Sequence, residues 1–209
     1  MQVVHGFDET QRERVARLFW GAFSGKLGSV LGPEERALRF ITSVLQPQFA
    51  ICAAEGDRLL GVAGFKTAEG GLVGGELSDL TPLYGRFGGL WRGLLLDQLE
   101  RDLADGQLLM DGIFVDEAAR GKGVGTALLD AIVKHASDGG FHEVRLDVID
   151  SNPRARALYE RQGFEPRGQV DAWPLHRIFG FRKATTMVYR IEQQVLGRAT
   201  LRGEYLPPR

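Results

Sequence analysis

The feature that most constrains this sequence is a glycine-alternating loop between an apolar run and an amphipathic segment. The run at residues 108–115 is predicted to be a buried strand, and Arg120-Gly-Lys-Gly-Val-Gly125 follows it closely. Residues 123–137 then place apolar side chains at helical spacing. Alternating glycines at the start of a helix let backbone N–H groups converge on an anion, which the helix dipole also favours. The pattern therefore predicts a site for a phosphate or a pyrophosphate.

Other interpretations of this loop differ in how well they fit its details. A nucleotide-hydrolysing P-loop is excluded, because Gly123 rather than Ser or Thr follows Lys122. A dinucleotide-binding Rossmann protein stays an alternative, since Asp147 lies about 20 residues further on, where that fold has an acid. Against it, Thr126 stands in the place of the third glycine. A glycine-rich turn that binds nothing is the remaining alternative.

Length and charge narrow the class of protein. At roughly 150 residues per domain, the 209 residues predict one domain. With 26 Lys and Arg against 27 Asp and Glu, the chain lacks the positive surplus of a general nucleic-acid binder, so we expect no nucleic-acid partner. Cys52 is the single cysteine, which excludes a disulfide within one chain and fits a cytoplasmic protein. No run is apolar enough for a membrane span, and we expect no membrane partner.

The remaining pattern predicts an alternation of helices and strands. Helices are predicted at 8–23, from Pro33 to Pro47 and at 152–162, and strands at 49–55, 58–66, 142–149, 164–167 and 185–191. Gly56-Asp57 marks a hairpin turn, and Asn152-Pro153 marks a helix start. Residues 69–107 form an insertion that is helical in its second half, and residues 192–209 form a tail.

Two blocks of this sequence resemble the GNAT superfamily of N-acetyltransferases. Arg120-x-x-Gly123-x-Gly125 after the strand is similar to its acyl-CoA pyrophosphate loop. Some thirty residues later, Asn152-Pro-Arg-Ala-Arg-Ala-Leu-Tyr159-Glu-Arg-Gln-Gly-Phe164 resembles its second motif. The resemblance implies a single α/β (α+β) domain over residues 1–209, with its core motifs at 108–167. The implied sheet is mixed and mostly antiparallel, flanked by helices, and its parallel strands 108–115 and 142–149 splay apart to hold acyl-CoA.

The resemblance also implies which residues contact acetyl-CoA, the expected acyl donor, and no metal is expected. The backbone of the strand end would meet the pantetheine arm and the acyl group, the loop would hold the pyrophosphate, and an asparagine and a tyrosine would complete the site. These residues are Ile113, Phe114, Val115, Arg120, Gly121, Lys122, Gly123, Val124, Gly125, Thr126, Asn152 and Tyr159.

Three side chains are candidates for the chemistry. Tyr159 matches the tyrosine that protonates the departing thiolate in many members, and a phenol is acidic enough for that role. An amine must lose a proton before it attacks a thioester, and Asp111 and Asp147 are the candidate bases. Strand alternation groups Asp111 with Ile113 and Val115.

The expected function is transfer of an acetyl group from acetyl-CoA to a primary amine by direct attack. A catalytically silent acyl-CoA-binding module is the alternative from another class. The acceptor stays open, with Tyr84, Phe87 and Trp91 of the insertion as an acceptor wall or as core packing. The chain is a possible homodimer through residues 90–103 or the tail. The four histidines have no metal-binding spacing and are predicted to be packing or surface residues.

Overall fold

The computed structural model describes residues 1–74, 79–80, 82–85, 103–171 and 180–191, apart from the side chain of Lys26. The described helices are α1 (Arg12–Leu31), α2 (Glu34–Val44), α3 (Val124–Asp138) and α4 (Pro153–Arg161). The described strands are β1 (Gln2–His5), β2 (Ala50–Glu55), β3 (Arg58–Thr67), β4 (Gly70–Gly71), β5 (Gln107–Val115), β6 (Glu143–Ile149), β7 (Glu165–Asp171) and β8 (Lys183–Arg190). Short 3-10 turns cover Glu9–Gln11, Pro47–Phe49 and Glu117–Ala119.

The strands form one mixed sheet in the order β1-β2-β3-β5-β6-β8-β7, with β4 paired to β3. Among the described strands only β5 and β6 run parallel. This confirms the expected mixed, mostly antiparallel sheet. A Rossmann fold needs a parallel sheet, so the dinucleotide-binding alternative is wrong.

The helices cover both faces of the sheet. On β3, Gly61 faces Val124 and Leu128 of α3, whereas the neighbouring Val62 pairs with Phe114, whose ring contacts α1. Because successive residues of a strand point to opposite faces, α1 and α3 lie on opposite faces. α2 packs on α1, and α4 lies beside α3, where Gly125 allows the close approach of Leu158.

Element boundaries from the sequence are accurate where caps are local. Asn152 accepts a hydrogen bond from the Ala155 N–H at 3.1 Å and caps α4, and the turn at Gly56 has a φ of 57°. The predicted first helix is wrong at both ends, since α1 starts at Arg12 and runs to Leu31. β1 was not predicted. Most of the insertion and the tail lie outside the described residues, although Tyr84 donates a hydrogen bond to the Leu31 carbonyl and packs on the core.

Candidate active site

The glycine loop has the geometry that its sequence predicts for an anion site. Gly121 and Gly123 adopt φ angles of 78° and 80°, in the left-handed region that favours glycine. A Cβ built on either residue would meet nothing within 4 Å, so the backbone faces open space. Gly123 caps α3 with no side-chain hydrogen bond, and the first amides of a helix have no partner within it. These N–H groups are therefore available to an anion from the cleft.

A cleft of about 1220 Å³ opens in front of this loop. One wall is α1, the other is α4, and the floor is the end of β5 with the loop itself. All predicted acetyl-CoA contacts except Lys122 line this cleft, namely Ile113, Phe114, Val115, Arg120, Gly121, Gly123, Val124, Gly125, Thr126, Asn152 and Tyr159. Lys122 is exposed outside the lining, and neither Asp111 nor Asp147 belongs to it. A separate cavity of about 780 Å³ between α3 and β8 contains none of the predicted site residues.

The cleft carries a surplus of positive charge. Five arginines line it, Arg14, Arg17, Arg120, Arg154 and Arg161, against the two acids Asp116 and Glu117. Asp116 is held by Arg14 and lies 3.5 Å from Arg58, and these charges with the Ala118 N–H keep the pKa of its carboxyl below the usual value despite partial desolvation. Such a cleft favours a polyanionic ligand.

Of these five arginines, only Arg120 was predicted from the sequence as a site residue. Arg14, Arg17, Leu18 and Gly21 recur at helical spacing on α1, which is the signal that could have placed them on one face. That face borders the cleft only because α1 crosses β5, and this crossing is set by tertiary packing.

Tyr159 lines the cleft with a side chain that is largely buried. Its side chain is only 7% exposed, and its ring lies 6.0 Å from that of Phe164. Burial raises the pKa of the phenol to about 12, so the group stays protonated at neutral pH. Within the described part of the chain no hydrogen bond to this hydroxyl is found, and it is free to donate to a ligand.

The two candidate bases lie at the fork between β5 and β6. The parallel pairing covers Gln107–Met110 and ends at the pair of Met110 and Leu146. Asp111 and Asp147 are therefore the first residues past the point where the strands separate. The splay that the resemblance implied is present, and it releases backbone N–H and C=O groups on both strands.

A β-bulge places Asp111. On β3, Gly64 pairs with Gly112 and Phe65 pairs with Met110, so Asp111 is an extra residue without a partner on that strand. Its Oδ2 lies 3.7 Å from a Cβ built on Gly71, on the side of Lys66 and away from Phe65. The simple alternation that grouped Asp111 with Ile113 and Val115 is wrong, because the bulge resets it.

The two acids differ in their surroundings. Asp111 is exposed as a residue, although many protein atoms surround its carboxyl. Desolvation by these atoms raises the pKa of the carboxyl to about 6, against the opposing effect of Lys66. Asp147, in contrast, accepts a hydrogen bond from the Thr186 hydroxyl at 2.5 Å and lies 3.5 Å from Arg145.

The histidines of the described residues show no metal cluster. His5 stacks on His135 with ring centroids 5.1 Å apart, and His135 also packs on Phe65, which fits the predicted packing role. His176, Phe87 and Trp91 lie outside the described residues. No described helix is long and apolar enough to cross a membrane.

The chain is similar in sequence to known proteins. Residues 12–164 match the model of the Acetyltransferase (GNAT) family. A spermine/spermidine N(1)-acetyltransferase of Bacillus subtilis is 30% identical over 104 residues, which cover 49% of this chain and 59% of that protein.

Solved structures share the fold at low sequence identity. An N-acetyltransferase from Staphylococcus aureus Mu50 has a TM-score of 0.63 at 14% identity, over 90% of this chain and all of that one. The yncA protein from Salmonella typhimurium, solved with its cofactor acetyl-CoA, has a TM-score of 0.58 at 14% identity, over 95% of this chain and 98% of that one. The family match spans the α1 wall, the glycine loop and α4, and the chain belongs to the GNAT family of acetyltransferases.

Proposed function

We propose that this protein transfers an acetyl group from acetyl-CoA to a primary amine by direct attack. The observation that carries the proposal is one cleft, which is lined by the open amides of Gly121 and Gly123 and by Tyr159. Its floor on β5 reaches Ile113, two residues from Asp111 at the fork of the parallel pair. The B. subtilis relative is named for acetylating spermine and spermidine, which are amines.

The cleft fits a CoA thioester, which when bound supplies an acyl group activated for transfer. The loop amides from Gly121 to Thr126 and the arginines of α1 and α4 would hold the phosphates. Asn152 uses its side-chain oxygen to cap α4, which leaves its N–H donors for the amide-like arm of the ligand. The unpaired edges of β5 and β6 past Met110 offer further backbone partners, as an added strand would use.

Tyr159 is the proposed acid. As the bond between carbon and sulfur breaks, the thiolate gains charge and needs a proton or a strong hydrogen bond. The pKa of the phenol, about 12, lies above that of a free thiol near 8.5, so donation as a hydrogen bond costs the tyrosine little. Full proton transfer follows only where the developing thiolate is more basic than the phenolate.

Asp111 is the proposed base, and Asp147 is the second candidate. A general base works best when its pKa lies near the working pH, which the desolvated Asp111 satisfies. Within the described residues no hydrogen bond ties its oxygens, whereas Asp147 is occupied by Thr186 and Arg145. The structure thus favours one of the two acids that the sequence left open.

Thermal melts with ligands test the donor site first. A ligand at about 100 times its dissociation constant stabilises a protein by roughly 2.7 kcal/mol, which gives a clear rise in melting temperature. We expect acetyl-CoA and free CoA to stabilise the protein and NAD to leave it unchanged. Release of free CoA with added primary amines, and none with the matching tertiary amines, would then establish transfer. Absence of any shift with CoA species would overturn the proposal.

A further inference from the structure

The ring of Phe23, on α1, packs against β5 at Gly112, where any larger residue would clash with it. A Cβ built on Gly112 would lie 2.6 Å from Cζ of Phe23, so the edge of the ring rests directly on the strand backbone. The ring is half-buried, and it packs against Phe19 at 4.7 Å and against Phe114 at 6.1 Å between ring centroids. The ring is therefore fixed on two sides, by its own helix and by the strand.

This contact lies between the cleft and the proposed base. Ile113 and Phe114 line the cleft floor, Gly112 lies beneath the ring, and Asp111 is the next residue along the strand. With about 3.3 Å per residue in a strand, the distance from Ile113 to Asp111 is roughly 7 Å. An amine deprotonated by Asp111 must attack the carbonyl carbon of the thioester, so the acyl group has to end close to Gly112.

Among the described residues of α1, those that line the cleft next to Phe23 are small. Gly21 and Ala22 line the cleft, and a Cβ built on Gly21 would meet nothing within 4 Å. Phe23 follows Ala22 on the helix and lies just outside the lining of the cleft, over Gly112.

We propose that Phe23 is the wall that receives the acyl group and that it selects short acyl donors. The inference rests on the proposed function, since it needs the CoA thioester in this cleft. An acetyl methyl group fits against the ring edge, whereas each additional methylene must displace a ring that Gly112 and Phe114 hold in place. At a hydrophobic wall, one methylene changes selectivity by about 10- to 200-fold.

Equilibrium binding by calorimetry tests this without turnover. The ligands are free CoA, acetyl-CoA, butyryl-CoA and hexanoyl-CoA, and the proteins are the wild type, Phe23→Ala, Phe23→Leu and Phe19→Leu. Phe19 is the control on the same helix. It packs on Phe23 at 4.7 Å and on Phe114 at 5.6 Å between ring centroids, and its substitution leaves the Phe23 ring in contact with Gly112.

For the wild type and Phe19→Leu we expect the dissociation constant to rise at least about tenfold from acetyl-CoA to hexanoyl-CoA. In Phe23→Ala this ratio should fall close to one, with Phe23→Leu intermediate and affinity for free CoA retained throughout. If Phe23→Ala does not fold, Phe23→Leu provides the same test.

If folded Phe23 variants still bind free CoA and keep the wild-type ratio of dissociation constants for hexanoyl-CoA and acetyl-CoA, the proposed role of Phe23 is refuted. The proposed function is then unaffected. Equal affinity of the wild type for all acyl chains would have the same meaning. Failure of every protein to bind free CoA would overturn the proposed function itself.

Discussion

Replacing Asp111 by Asn removes the proposed base while keeping the shape of the side chain. With a carboxyl pKa of about 6, the ionised fraction is about 90% at pH 7 and about 10% at pH 5. The acceptor amine titrates identically with both proteins, so the informative quantity is the ratio of kcat/KM between wild type and Asp111→Asn. We expect this ratio to be about 10² to 10⁴ at pH 7 and to fall about tenfold at pH 5.

The assay is release of free CoA thiol under saturating acetyl-CoA, with the amine varied and the pH stepped between 5 and 8. Asp147→Asn is the matched control, because it makes the same chemical change at the same fork. Since Asp147 is held by Thr186 and Arg145, we expect Asp147→Asn to keep the wild-type change in kcat/KM near pH 6, which we call the step. A ratio independent of pH for Asp111→Asn, or loss of the step in Asp147→Asn alone, would refute the assignment of the base.

Asp111→Asn should also change the stability of the protein, in a direction that follows from the pKa of Asp111. The folded-state pKa of Asp111 lies above the ordinary value of 3.8, so its ionised form is disfavoured in the folded protein. Its contribution to stability is fully present below about pH 4 and is lost as the pH rises through about 6. We therefore expect Asp111→Asn to melt above the wild type at pH 7, with the difference vanishing near pH 4. A lower melting temperature at pH 7 would contradict the desolvated position of this carboxyl.

Four further substitutions test the donor site and its supports. Gly123→Ala and Gly140→Ala both force alanine into the left-handed region, at φ of 80° and 74°, and each should lose about 1–2 kcal/mol of stability. Calorimetry should show weaker CoA binding for Gly123→Ala but not for Gly140→Ala. An equal loss of CoA affinity in both variants would argue against an anion site at the glycine loop. Tyr159→Phe should lower kcat by about 10² or more with CoA affinity unchanged, whereas unaltered turnover would exclude the proposed acid. Asn152→Ala should lower the free energy of unfolding by about 1 kcal/mol through loss of the helix cap, as denaturant melts would show.

The sequence predicts the segment from β5 to α4 closely because its signals are local. Gly123 begins α3 and Asn152-Pro153 begins α4, within a residue of the predicted bounds. α1 runs past its predicted end because packing on α2 and β5 outweighs the poor helix propensity of Gly25 and Gly28. β1 carries no burial pattern, since all four of its residues are exposed, and only pairing with β2 defines it.

In the candidate site, too, only the parts with local sequence signals were predicted. The loop and Tyr159 follow from residue identity and spacing, and they line one cleft as expected. The bulge at Asp111 depends on the register between β3 and β5, which no local pattern encodes. The Phe23 contact likewise requires a helix to cross a strand far along the chain.

The bulge and the splay of β5 meet at one residue, Asp111. Pairing of β5 with β6 ends at Met110, and the register with β3 shifts at the next residue, so Asp111 departs from both neighbours at once. If Asp111 were paired in a regular strand instead of a bulge, alternation from Ile113 would send Leu108 and Met110 to the face opposite the one they now share with the α3 side of the core. The bulge keeps both residues buried, puts Gly112 under Phe23, and leaves Asp111 beside Lys66 on the opposite face. Deletion of Asp111 would remove the bulge and make the pairs of Gly112 with Gly64 and Met110 with Phe65 regular, whereas Asp111→Asn keeps the bulge and removes only the carboxylate. Comparing the two separates the structural role of this position from its proposed catalytic one.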